Sequence, residues 1–342
     1  MPESSDNLTF LEIRHPQENE YTLESMSSLL SNFVQFASVS FWDRLRGKKP
    51  TIASLEIVLF GGQIHFVIVT PSEHTEFFRS QTLAQYPSAI TREITDYLLT
   101  GVVNNFSEHS DRSSISMDPE GSAHRKNSFT SQLHSCLLGL SRIYDYPVKT
   151  AKDFKETDPL NSVLAPISRS NQTNDFFLYQ VLISNAPKNW QSSIISVIQN
   201  GIVVDKEKGF RQPHPDKAVF EQKIQYPGLL TQINLISTSP GLISAVSSSF
   251  GVYTSPRGNF IKTCQPGFFS KGKLLPSIFN REIKGGLKNQ VLNTEELAAL
   301  WHFPNRLTKL PNIAWGKKLY ADPPENLPIL EGLSDDQKKS TT

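Results

Sequence analysis

The chain has 342 residues with a formal net charge of +1, and 38% of the residues are hydrophobic. This length corresponds to about two domains, and the balanced charge excludes a polyelectrolyte that binds nucleic acid along its whole length. Two cysteines are too few for a disulfide framework and indicate a reducing compartment. No apolar run approaches the ~20 residues that span a bilayer, and the acidic residues 1–6 are not typical of a secretory signal. Composition therefore predicts a cytoplasmic protein and leaves its function open.

The first 103 residues predict a β-α-β-β-α-β unit, the order of a ferredoxin-like sandwich. Apolar residues at spacings of three and four predict a helix over 22–37. Gly61-Gly62 predicts a type I′ hairpin between two β-branched runs. The second helix is expected to begin at a Thr70 N-cap and to end at Gln85. The four strands are expected over 8–14, 51–60, 63–70 and 89–98.

A second α/β sandwich, with a β-α-β-α-β run, is expected over 129–264. It follows a serine-rich, weakly apolar stretch over 104–128, which we interpret as a disordered insertion. The strands of this unit are expected over 131–144, 176–184, 228–237 and 259–264, and its helices over 158–168, 190–199 and 240–250. Together the two units predict an α/β (α+β) protein made of two ferredoxin-like antiparallel sandwiches.

Residues 265–333 are expected to form a basic loop, one short helix and an irregular proline-rich strap. Asn293 as N-cap and Glu296 at the third helical position predict the helix, which Pro304 ends. Three prolines between positions 323 and 328 predict extended backbone in the strap. Residues 334–342 are interpreted as a disordered tail.

The charges are distributed unevenly along the chain. Residues 1–30 carry six acids against one arginine, whereas residues 252–318 carry eleven Lys or Arg against three acids. A basic stretch of this kind suits nucleic acid or anionic lipid, and it is also typical of a solvated loop region. Single-strand binders combine aromatic and cationic side chains, although aromatics between a helix and a strand also suit a core. The candidate nucleic-acid contacts are Tyr253, Arg257, Phe260 and Lys262.

Several segments raise the question of catalysis. Residues 267–274 match the spacing of a P-loop, but Leu274 stands where a Ser or Thr hydroxyl must bind Mg²⁺, and prolines flank the segment. We therefore interpret it as a basic loop. His134 and Cys136 are two positions apart, but two ligands do not make a zinc site. We predict no catalytic residue, no cofactor and no metal ligand, and a site assembled only in three dimensions is the remaining route to an enzyme.

The chain resembles a known group of proteins at several segments. The longest are DYPVKT at 145–150, LNTEELAALWHFPN at 292–305 and ADPPENLP at 321–328. Further matching segments are 8–14, 85–87, 153–154, 158–160, 190–191, 250–260 and 311–315. In this order they are similar to the region ahead of the motor domain in type IV secretion and conjugative-transfer ATPases (VirB/VirD-like) of candidate-phyla (Patescibacteria-like) bacteria. The similarity covers most of residues 8–333.

In that family a P-loop ATPase domain follows the proline-rich strap, whereas this sequence ends at Thr342. The resemblance therefore implies a non-catalytic assembly domain of a conjugative DNA-transfer apparatus, which docks a motor ATPase or its substrate. It implies a P-loop motor ATPase and secretion-complex proteins as partners. It is also compatible with binding to DNA, with homo-oligomers and with peripheral contact at the inner face of the cell membrane. Two alternatives stay open: a nucleic-acid-binding protein that uses residues 252–318, and an enzyme whose site is not visible in the sequence.

Overall fold

The structure is a computed structural model that describes residues 7–38, 50–98, 132–154, 157–169, 175–205 and 210–317. Its strands are β1 (Leu8–Arg14), β2 (Ala53–Phe60), β3 (Gln63–Pro71), β4 (Ile90–Ile94), β5 (His134–Leu140), β6 (Phe177–Asn185), β7 (Ile202–Asp205), β8 (Phe210–Gln212), β9 (Gly228–Ser237), β10 (Ile261–Cys264) and β11 (Gln290–Asn293). Its α-helices are α1 (Leu23–Phe36), α2 (Thr75–Gln85), α3 (Leu160–Ser168), α4 (Ser192–Asn200), α5 (Lys217–Ile224), α6 (Pro240–Ser249), α7 (Leu274–Asn280) and α8 (Thr294–Leu300). None of the described helices combines the length and the apolar character needed to cross a membrane.

Nine of the strands form one antiparallel sheet. Their order is β10-β5-β9-β6-β2-β3-β1-β4, and β11 pairs with β9 beyond the end of β5. Strands β7 and β8 form a separate two-stranded ribbon. Helices pack against this antiparallel sheet, so the predicted α+β fold class is confirmed.

The large sheet contains two β-α-β-β-α-β halves. The first half runs β1-α1-β2-β3-α2-β4 and places its strands in the order β2-β3-β1-β4. The second half runs β5-α3-β6-β9-α6-β10 and repeats this order as β6-β9-β5-β10. In the second half, α4, the ribbon and α5 are inserted between β6 and β9. Both halves therefore have the predicted ferredoxin-like connectivity.

The halves are joined through β2 and β6. These strands pair antiparallel from Ala53–Ile183 to Leu59–Phe177, and both are buried along nearly their whole length. A strand at the edge of a sheet leaves its N–H and C=O groups without hydrogen-bond partners. The pairing of β2 with β6 supplies these partners for both strands. The two predicted units therefore share a single sheet. Their predicted limits, 1–103 and 129–264, stay predictions.

The two faces of the sheet are covered by different elements. Helices α1, α3, α6 and α8 pack on one face, in an apolar cluster that includes Leu29, Phe33 and Trp301. Helix α7 and its flanking segments cover the other face, in a smaller cluster that includes Leu178 and Ile278. Because the central strands are covered on both sides, polar side chains beneath α7 are shielded from water and need partners inside the protein.

The second helix begins later than the sequence predicts. Pro71 is the last residue of β3, residues Ser72–His74 form a 3-10 turn, and α2 begins at Thr75. Thr70 is therefore not an N-cap, since it is buried in β3 and pairs with Thr9 of β1. Pairing with β1 continues to the end of β3, and these ladder bonds outweigh the local capping signal.

Other element limits also differ from the prediction. The strands predicted over 89–98 and 131–144 are the shorter β4 and β5. The sequence missed β7, β8, β11, α5 and α7. The three missed strands have only three or four residues, too few to leave a periodic pattern. The predicted insertion over 104–128, the strap beyond residue 317 and the tail over 334–342 lie outside the described residues.

Candidate functional site

A buried polar cluster lies between the sheet and α7, centred on Glu56 of β2. This carboxylate is fully buried. Its Oε1 accepts hydrogen bonds from Ser54 Oγ at 2.6 Å, from Gln180 Nε2 at 2.9 Å and from Arg281 Nε at 3.3 Å. The Tyr97 hydroxyl donates to its Oε2. Both carboxylate oxygens therefore have partners within the protein, which offsets the cost of burying the charge.

Arg281 supplies the positive charge of this cluster. It follows α7 in the left-handed backbone conformation, with a φ of 53°. Its Nη1 and Nη2 donate to the two oxygens of Asp96 at 2.8 and 2.9 Å. Burial alone would lower the pKa of Arg281, but the carboxylates of Glu56 and Asp96 hold it above its ordinary value. Arg281 therefore ties the segment after α7 to the first half of the sheet.

A row of amide side chains extends the cluster across β6 and β9. Asn234 Nδ2 donates to Gln180 Oε1 at 2.8 Å, and Gln232 Nε2 donates to Asn234 Oδ1 at 3.0 Å. Gln232 Nε2 also donates to the hydroxyl oxygen of Ser277 in α7 at 2.7 Å. These bonds fix the position of α7 on the sheet, so the cluster supports the fold and does not open towards a ligand.

A second buried ion pair joins α5 to α8. Lys223 Nζ donates to Glu296 Oε2 at 2.6 Å and to the carbonyl oxygen of Val291 at 2.8 Å. Glu296 Oε1 accepts from the backbone N–H of Val148 at 2.9 Å. Burial lowers the pKa of Lys223 despite the nearby Glu296 carboxylate. Both side chains are completely buried, so this pair holds three segments together and has no access to a substrate.

Asp158 and His302 form a third buried pair. His302 Nε2 lies 3.0 Å from Asp158 Oδ1, and His302 Nδ1 lies 2.9 Å from the carbonyl oxygen of Ala298. Both ring nitrogens therefore lie within hydrogen-bond distance of an oxygen. Burial would raise the pKa of Asp158, but His302 and the Thr308 hydroxyl lower it below its ordinary value. An Asp–His pair can serve catalysis, yet this one lies inside the core, where Asp158 is 3% exposed and His302 is 1% exposed.

The described residues contain no group of three or more His, Cys, Asp or Glu side chains that could hold a metal ion. Cys136 and Cys264 lie on the neighbouring strands β5 and β10, and both are half-buried. Burial raises the pKa of Cys136 to about 11 and also raises that of Cys264. Thiols that keep their protons at neutral pH are weak nucleophiles and weak metal ligands.

The segment with P-loop spacing has its own structure. Residues Phe268–Lys273 form a 3-10 turn between β10 and α7, so a strand does precede it and a helix does follow it. Lys273 Nζ donates to the carbonyl oxygen of Gly285 at 3.2 Å, and Leu274 is buried in the apolar cluster. The side chain at the position that should bind Mg²⁺ is therefore an aliphatic core residue, which agrees with its interpretation as a basic loop.

The four predicted nucleic-acid contacts lie in different environments. Tyr253 is completely buried and has no face to offer a base, so the prediction is corrected for this residue. Arg257 is exposed and lies 3.4 Å from Asp216 Oδ1. Phe260, which is 41% exposed, immediately precedes β10, and the exposed Lys262 is the second residue of that strand. These three residues stay predictions.

An open groove of about 590 Å³ lies between the segment before α1 and two loops at 151–154 and 305–307. Charges of both signs line it. Arg306 pairs with Glu20 at 2.8 Å, and Lys152 Nζ donates to the hydroxyl of Tyr226 at 2.6 Å. The groove is therefore a mixed-charge surface, unlike the convergent acids or histidines that the enzyme hypothesis needs.

Two groups of sequence-adjacent apolar side chains are open to solvent in the part of the chain that the structure describes. The first is the β7–β8 ribbon, where Ile202, Val203 and Val204 are 39%, 46% and 54% exposed. The second is the 3-10 turn after β10, where Phe268 and Phe269 are 83% and 91% exposed. Exposed apolar groups that lie together are typical of interaction sites. Sequence reasoning missed both, although two adjacent phenylalanines in a basic loop were a usable signal.

The three polar clusters support the fold, while the ribbon and the phenylalanine turn are available to a partner. Comparison of the chain with models of known protein families and with curated proteins finds no match.

Proposed function

We propose that this chain is a non-catalytic assembly domain of a type IV secretion-like, conjugative DNA-transfer apparatus. In that apparatus it docks a P-loop motor ATPase or the motor's substrate. Its place is in the cytoplasm, with peripheral contact at the inner face of the cell membrane. The observation that carries the proposal is the exposed aliphatic ribbon β7–β8.

The ribbon has the properties of a protein-docking element. Three consecutive aliphatic side chains of β7 are exposed, and within the described residues the ribbon contains only its two strands. A two-stranded ribbon is marginally stable by itself, and its open edges are templates for a further strand. Pairing with a partner would cover the apolar side chains and satisfy the open backbone groups.

The segments that resemble the pre-motor region support a shared scaffold. Residues 145–150 and 292–305 are far apart in the sequence, yet Val148 donates its N–H to Glu296 at 2.9 Å. Asp158, from a third segment, pairs with His302 at 3.0 Å. Residues that maintain such contacts maintain a fold, so the resemblance favours a structural role over a chemical one.

Affinity capture of the tagged full chain, crosslinked in the cells that encode it, tests the proposal. We expect a P-loop ATPase among the enriched proteins, with about tenfold less in the double variant Val203→Asp, Val204→Asp, since two carboxylates cannot be buried against an apolar partner. Ile143→Asp, which changes an aliphatic residue that is 62% exposed elsewhere, is the matched control and keeps the enrichment. Capture without an ATPase, or ATP hydrolysis by the purified chain alone, would contradict the proposal.

Nucleic-acid binding is the second candidate function. It is favoured by the exposed side chains of Arg257, Phe260 and Lys262 in the basic stretch over 252–318. The two functions differ in salt dependence, because phosphate contacts release counterions and protein docking through an apolar ribbon does not.

A further inference from the structure

The 3-10 turn Phe268–Lys273 carries the most exposed large apolar side chains of the described residues. Phe268 is 83% exposed and Phe269 is 91% exposed. A buried phenylalanine contributes to stability, whereas an exposed one only costs solubility unless something covers it. Two adjacent exposed phenylalanines therefore point to a partner surface.

The turn is held firmly at its base. Ser270, the residue after the phenylalanines, is buried, and its N–H donates to the carbonyl oxygen of Gly267 at 2.8 Å. Gly286 has a φ of +86° and packs so closely that a Cβ there would lie 2.5 Å from Ser270 Oγ. Leu274 anchors the other end of the turn in the core. The phenylalanines are thus presented by an ordered turn.

The surroundings of the turn are cationic. Lys271 and Lys273 are exposed on the turn itself, and residues 265–273 contain no acid. Lys262 and Lys288 lie near Cys264 at the end of β10, close enough that both lower the pKa of this thiol, which burial raises overall. Apolar side chains at the tip of the turn suit the acyl chains of an anionic bilayer. The lysines around them suit the phosphate groups that lie above these acyl chains.

The geometry of the two rings favours lipid over nucleic acid. The ring centroids are 5.4 Å apart and the ring planes are nearly perpendicular, at 87°. Successive bases of a single strand stack on aromatic rings that lie parallel to them. Two perpendicular rings can offer such a face only one at a time. Insertion among acyl chains needs no particular ring orientation.

We propose that the Phe268–Phe269 turn inserts into the surface of an anionic phospholipid bilayer, with Lys271 and Lys273 contacting the lipid phosphates. This assignment rests on the proposed peripheral position at the membrane and is independent of the motor that the chain docks.

Vesicle flotation with the purified full chain tests the assignment. We expect binding to phosphatidylcholine vesicles that contain about 30% phosphatidylglycerol, and little binding to phosphatidylcholine alone. The double variant Phe268→Ala, Phe269→Ala should bind at least about tenfold more weakly, since the apolar area that inserts is removed. Lys271→Gln with Lys273→Gln should weaken binding by about fivefold per lysine and reduce its salt dependence.

Ile143→Ala is the matched control, because Ile143 is an exposed aliphatic residue beyond the opposite end of β10. It should bind vesicles like the unchanged chain. The absence of binding to anionic vesicles at low salt would overturn the assignment, and so would equal binding by the phenylalanine variant. Phenylalanine-dependent binding to a single-stranded oligonucleotide without vesicle binding would assign the turn to nucleic acid instead. The vesicles contain no protein, so failure here leaves the capture of a motor ATPase unaffected.

Discussion

His15 follows β1 and is buried among aromatic rings. The centroids of Tyr21, Tyr86 and Phe303 lie 6.0, 5.1 and 4.8 Å from the centre of the imidazole. Neither ring nitrogen of His15 has a hydrogen-bond partner among the described residues. Burial lowers the pKa of His15 from 6.5 to about 3. The folded protein therefore keeps this imidazole neutral at pH values where the unfolded chain takes up a proton.

This difference in proton binding makes the free energy of unfolding depend on pH. Between pH 6.5 and about 3 the unfolded chain binds a proton at His15 and the folded protein does not. The free energy of unfolding then falls by up to about 1.4 kcal/mol for each pH unit. At about pH 4.5 the loss from this one residue amounts to about 2.7 kcal/mol, a large part of the ~5–15 kcal/mol of a typical folded protein. The loss ends near the folded pKa of about 3.

We expect His15→Phe to remove this contribution, because phenylalanine keeps a ring among the three aromatic neighbours and cannot bind a proton. Urea unfolding followed by tryptophan fluorescence, at about pH 7 and about pH 4.5, measures the free energy of unfolding of each variant. The exposed His134→Asn is the matched control and should keep the pH dependence of the unchanged chain. An equal loss of stability in His15→Phe and in the unchanged chain would refute the reasoning.

Three further outcomes are expected. Arg281→Met leaves Glu56 buried without its cation and should lower the free energy of unfolding by about 3–5 kcal/mol in urea titrations; a loss below about 1 kcal/mol would contradict this role. Lys223→Met should lower the free energy of unfolding by a similar amount. Adding Glu296→Gln should restore part of this loss in the same titrations, because glutamine removes the unpaired charge and still caps α8. If the chain binds nucleic acid through the basic stretch, the fluorescence anisotropy of a labelled single strand should rise at about 50 mM salt and fall steeply by about 200 mM. Lys262→Gln should weaken that binding, and no shift at low salt would eliminate this function.

Signals that lie within a few residues of one another were enough to predict local structure. Gly61 and Gly62 have φ values of 56° and 77°, as the predicted hairpin requires. The predicted capping box at α8 is present in both directions, from Asn293 to Glu296 and back. Strand β9 and helix α1 follow from their own apolar patterns. Each of these features depends on backbone preferences and side-chain contacts that the local sequence contains.

Burial and long-range pairing were decided by the tertiary structure. Glu56 and Arg281 are 225 positions apart and look like ordinary surface charges until β2 and α7 are brought together. Tyr253 and Phe269 both lie in the basic stretch, yet one is completely buried and the other is 91% exposed. The sequence by itself determined most of the helices and strands and the β-α-β-β-α-β order of the first half. Only the folded chain decided that the halves share one sheet and which charged and aromatic side chains reach its surface, because solvent access depends on segments that are distant in the sequence.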